Sequence, residues 1–150
     1  MAVSLTDEQD HDVDADELVA LAVHVLRERR VPDAMVLELL LVDTDTIARL
    51  NAEHLGVDGP TDVLAFPIDL PGDAPGDAPS VLGDVVLCPA VAAAQAPRFA
   101  RTPAEELRLL TVHGVLHLLG FDHAEPDERR AMFGLTDELL GSFAARRSGP

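Results

Sequence analysis

Thr102 to Gly120 reads TPAEELRLLTVHGVLHLLG and carries, in one run, the start signal, the body and the stop signal of a helix. Thr102 is a good N-cap, Pro103 fits the first helical position, where no N–H is needed, and Glu105 completes a capping-box pattern. Gly120 takes the left-handed conformation that ends a helix without strain. Ahead of this helix, VAAAQAPRFA (91–100) predicts a shorter one that stops near Pro97, and LGDVVLCP (82–89) a strand. PTDVLAFPI gives a short strand around Val63 to Phe66, stopped by Pro67. Between these strands, DLPGDAPGDAPS (69–80) is a flexible loop punctuated by Pro and Gly, with the unit PGDA repeated. Apolar elements resume directly after it, so it is not a domain boundary.

Further upstream, DTDTIARLNAEHL predicts a helix with Asp43 or Asp45 as N-cap. AMVLELLLV (Ala34 to Val42) is almost continuously apolar, as in a strand covered on both faces. Asp14 to Arg30 reads as an amphipathic helix: Leu18, Leu21, Ala22 and Val25 share a face, and Arg27, Arg29 and Arg30 suit its C-terminal end. His24 within it is a half-buried packing residue. A short strand precedes that helix. After Gly120, a last helix runs from about Pro126 to Phe143, with Met132, Phe133, Leu135 and Leu139 as its apolar residues. Strands mixed with helices, without strict βαβ alternation, predict one α+β domain over residues 1–150. Its mixed sheet has about four strands, packed by about five helices.

Composition narrows the function. The formal net charge is -16, and every basic side chain is Arg. Such a chain repels nucleic acid at long range, so an RNA role needs a local Arg cluster or a metal acting against the overall field. Trp and Tyr are absent, which leaves Leu, Val and Ala to build the core. Cys88 is the single cysteine and reads as a buried, inert thiol at a strand end; no internal disulfide is possible. The N-terminus lacks a secretory pattern and no apolar run approaches the roughly 20 residues needed to span a bilayer, which places the protein in the cytoplasm with no membrane partner. The expected oligomeric state is a monomer.

HGVLHLLGFDH, His113 to His123, holds three of the six histidines. Residues four apart on a helix differ by about 40° and 6 Å, so His113 and His117 reach one ion from consecutive turns. After the Gly120 stop, His123 returns as a third ligand. Three imidazoles leave the fourth corner of a tetrahedron open for water, the pattern of a catalytic Zn²⁺. In HExxH proteases a Glu general base follows the first His; here that position is Gly114. Asp122, beside the third histidine, reads as a hydrogen-bond acceptor for a ligand or as a turn residue.

These residues resemble a known signature. HGVLHLLGFDH is similar to the HGxLHLxGYDH motif of the YbeY family of bacterial metal-dependent endoribonucleases. LNAEHLGVDGPTDVLAFP (Leu50 to Pro67) and LGD (Leu82 to Asp84) are similar to two further blocks of that family. The resemblance implies one sheet packed by helices with a zinc site in a cleft, ligated by His113, His117 and His123, and with Thr61 and Asp62 lining the cleft. It also implies maturation of the 3′ end of small-subunit ribosomal RNA, ribosome quality control, and the small subunit or its assembly factors as partners.

Three positions depart from the family pattern: Leu55 replaces an Arg proposed to hold the phosphate, Phe121 replaces Tyr, and Ala65 replaces Ser. Without that Arg, charge built on the phosphodiester falls to the ion or to another cation, for which Arg98, Arg101 and Arg108 are candidates for substrate binding or for solvated ion pairs. The expected function is a zinc-dependent single-strand endoribonuclease, with water or the ribose 2′-hydroxyl as nucleophile. The alternatives are an assembly factor with a mainly structural zinc and a hydrolase of a non-RNA substrate.

Overall fold

The computed structural model describes residues 2–70, 80–122 and 124–148. In chain order the elements are β1 (Ala2–Glu8), α1 (Ala15–Glu28), β2 (Met35–Val42), α2 (Thr44–Leu55), β3 (Val63–Pro67), β4 (Ser80–Leu87) and α3 (Pro89–Gln95). A 3-10 turn (Ala96–Phe99) follows, then α4 (Pro103–Leu118) and α5 (Pro126–Ser148). The fold is α+β: a mixed sheet of order β1-β2-β4-β3, in which β1, β2 and β4 run parallel and β3 lies antiparallel on the edge. Among the described residues no helix is long and apolar enough to cross a membrane.

Local chemistry sets the boundaries. Asp14 caps α1 by accepting from the Glu17 amide, and Asp43, not Asp45, caps α2 by accepting from Thr46. Asp43 is the residue with extended backbone, so its carboxylate can fold back onto the first turn. Thr102 and Glu105 form the reciprocal capping box, with Glu105 N–H donating to Thr102 Oγ1 at 3.1 Å and Thr102 N–H donating to Glu105 Oε1 at 2.9 Å. These bonds hold the Glu105 carboxyl below its usual range. At the other end Gly120 sits at φ 98°, its N–H donating to the His117 carbonyl while Phe121 N–H donates to that of Leu116, a Schellman closure. The loop expected over 69–80 is pinned at both ends, since Ile68 and Asp69 amides donate to Leu82 and Val81 carbonyls; residues 71–79 lie outside the described residues.

Alternation along the strands splits the core in two. Leu37, Leu39 and Leu41 of β2 join Val85 and Leu87 of β4 under α1, α4 and α5, while Val42, Val86, Leu64 and Cys88 pack against Ile47 of α2 on the opposite face. Cys88 is fully buried. Helix α4 is the hub, touching α1, α3, α5, β3 and β4. It lies close to the sheet because Gly114 has no side chain: a Cβ there would fall 2.5 Å from Val85 Cγ1 and 3.3 Å from Val63 Cγ2. His24 packs inside, its Nε2 2.8 Å from Ser142 Oγ and its ring 5.6 Å from that of Phe143.

Candidate functional site

The capping box and the Gly114 contact fix α4 at both ends of its register, and with it the direction of His113 and His117. Both rings are half-buried, one turn apart on the same helix. Their intervening neighbours Gly114, Val115 and Leu116 are buried, Gly114 against Val85 and Val63 of the sheet. The imidazole of His113 stacks on Phe133 of α5, with centroids 5.2 Å apart and planes 13° from parallel. His123 lies outside the described residues. Two imidazoles on consecutive turns are a donor set that suits a borderline-soft divalent ion, and fit zinc better than magnesium or calcium, which take oxygen ligands. Among the described residues no three metal-donor side chains converge.

His113 opens onto a cleft of about 490 Å³ between the 3-10 turn, α4 and α5. Asp62 and Arg101 line it as well, together with Glu106, Phe99 and Phe133. Asp62 is held on both oxygens: Oδ1 accepts from the Val63 amide at 2.8 Å and Oδ2 from Gln95 Nε2 at 2.9 Å. Thr61, which donates to Asp62 Oδ1 at 3.4 Å, stands behind it. Arg101 Nη1 donates to Glu106 Oε1 at 3.1 Å, and its guanidinium lies 5.2 Å above the Phe99 ring. Glu106 is buried to 1 % exposure while Arg101 keeps about a third of its side chain in solvent. The pair therefore tethers Arg101 through Nη1, and Arg101 lines the cleft.

Asp62, Arg101 and His113 thus meet at one cleft, whereas His117, Thr61, Arg98 and Asp122 are not part of its lining. Arg98 and Asp122 are exposed. Arg108 is bound to Glu17 of α1 at 2.9 Å. Leu55, at the end of α2, is 59 % exposed and also stands apart from this lining. Glu106, Gln95, Phe99 and Phe133 belong to the cleft without having been singled out for it in sequence. Glu106 did leave a signal: it precedes His113 by seven residues, two helical turns, and so shares its side of α4.

Three comparisons bear on this arrangement. The family model described as Endoribonuclease YbeY matches residues 4–144. The chain belongs to the YbeY endoribonuclease family. A relative of that name from Salinispora tropica is 51% identical over 99% of both chains. Another, from a Nocardioides species, is 48% identical over 97% of this chain and 100% of its own. In structure the chain is similar to TM1509 from Thermotoga maritima, solved in solution, with a TM-score of 0.60 and 26% identity, covering 97% of this chain and 93% of that one. For the YbeY family member described here, the α+β architecture and the mixed sheet follow the expectation from sequence.

Proposed function

We propose that the protein is a zinc-dependent endoribonuclease that cuts single-stranded RNA during maturation of the small-subunit ribosomal RNA, at its 3′ end, in the cytoplasm. The observation that carries this reading is the meeting of His113, Arg101 and Asp62 at one cleft in a chain of the YbeY family. His113, His117 and His123 would hold the ion. When bound, it supplies a Lewis acid for a phosphoryl oxygen and lowers the pKa of water.

The chain's own residues do the rest. Arg101, held by Glu106, presents N–H donors to a phosphate of the bound strand. The buried Glu106 carboxylate restrains the long Arg side chain, so less rotamer freedom is lost on binding. Asp62, fixed by Gln95, Thr61 and the Val63 amide, keeps one lone pair on Oδ2 for a hydroxyl or water at the cleft wall. A catalytic place for the ion also suits the position of the histidines, since α4 is already secured by its caps and by fully buried Val112, Val115 and Leu116.

Single-turnover cleavage of a small-subunit ribosomal RNA precursor tests the reading. Zinc-loaded protein should cut near the mature 3′ end, and His117→Ala should be slower by roughly 100-fold or more. Equal rates for the two proteins would contradict it.

A further inference from the structure

The cleft beside His113 keeps two of the chain's five phenylalanine rings in water: Phe99 is 57% exposed and Phe133 is 44% exposed. In a chain that has no Trp or Tyr, these are the most exposed aromatic rings, and neither contributes to the core. Both are held in place nonetheless. Arg101 lies over Phe99, and His113 stacks on Phe133.

Charge decides what such a cleft accepts. Its lining sets one Arg against Asp62, Glu106 and Asp137, and the whole chain carries -16. A track of successive phosphates would be repelled. A nucleobase is neutral and planar, has a π-face for stacking, and carries amine donors for carboxylates.

We propose that this cleft is a nucleobase subsite for single-stranded RNA, in which Phe99 and Phe133 stack bases and Arg101 meets one flanking phosphate. The proposal rests on the reading of the protein as an RNA-cleaving enzyme, and it makes stacking the main source of affinity. Stacking tolerates any base, so little sequence preference is expected from the cleft. With one phosphate neutralised, affinity should fall only gently with salt, by a log–log slope of about -0.7.

The test is fluorescence anisotropy with two labelled probes of about twelve nucleotides: a single-stranded 2′-O-methyl RNA and an abasic oligomer with the same backbone. Phe99→Ala and Phe133→Ala, each shown to be folded by circular dichroism, should weaken RNA binding by about 5-fold or more and leave abasic binding unchanged. Phe99→Tyr, which keeps the ring, should retain wild-type affinity, and Arg101→Gln should flatten the salt dependence for both probes. RNA binding unaffected by either Ala variant, or equal losses on both probes, would overturn the subsite while leaving the nuclease reading in place. A wild-type protein that binds no single-stranded RNA would overturn both.

Discussion

One face of the sheet lies under α1 and α4, backed by α5; the other packs against α2 and the start of α3, and polar side chains fare differently on the two. On the first face charged side chains come paired: Glu106 is buried against Arg101, and Glu17 of α1 is half-buried against Arg108 of α4. On the second, Glu38 of β2 and Asp84 of β4 are direct cross-strand partners, two carboxylates of the same sign. Ser4 and Thr6 of β1 donate hydrogen bonds to Glu38. Burial, and then the facing Glu38 carboxylate, raises Asp84 above the usual carboxylate range. The thickly covered face has the packing density to hold a charged group in one position. On the thinly covered face the two carboxylates are half-buried, and burial and the like charge together disfavour the ionised form of Asp84.

Crowding the first face should have the larger effect. Gly114→Ala puts a methyl against Val85, a β-branched side chain with few rotamers to move into. Overpacking of this kind costs about 1–3 kcal/mol, read as a drop of roughly 3–10 °C in the thermal midpoint. An unchanged midpoint would show that α4 does not rest on the sheet as closely as described. The same contact explains why a Glu has no room after the first histidine.

A smaller change of opposite sign is expected on the second face. Because the native pKa of Asp84 is raised, its contribution to stability is fullest below the ordinary value of 3.8 and is lost as pH rises through the raised value. Asp84→Asn removes that loss. It should stabilise the protein at neutral pH by a few tenths of a kcal/mol, with the gain vanishing in acid. Urea unfolding at pH 7 and near pH 3.5 checks this, and a gain that persists in acid would point to packing instead of charge.

Helix starts and stops were most legible where they are written in single residues, as at Thr102 and Gly120; at α2 the sequence left Asp43 and Asp45 as alternatives, and the structure takes Asp43. The nearly continuous apolar run of β2 likewise announced its two covered faces. What escaped depends on contacts between distant elements. Phe133 reads as part of the apolar face of the last helix, yet the buried positions are Met132, Thr136, Leu139 and Phe143, and Phe133 stands about 100° from Met132. That helix also continues to Ser148, five residues past its last buried residue, through a segment whose Ala and Arg favour helix without facing the core. Glu106 lies in the same first turn as the capping Glu105, yet it is buried and paired with Arg101. His113 and His117 were legible as a pair from spacing alone, but the company they keep at the cleft was not.

The central claim is that α4 uses one face to build the fold and another to do chemistry. Chelation, followed on one sample by circular dichroism and by cleavage of a ribosomal RNA precursor, addresses it most directly. The account predicts that metal removal abolishes cleavage, that the helical signal and cooperative melting persist, and that added Zn²⁺ restores activity. Unfolding on chelation, or cleavage that survives it, would contradict the account.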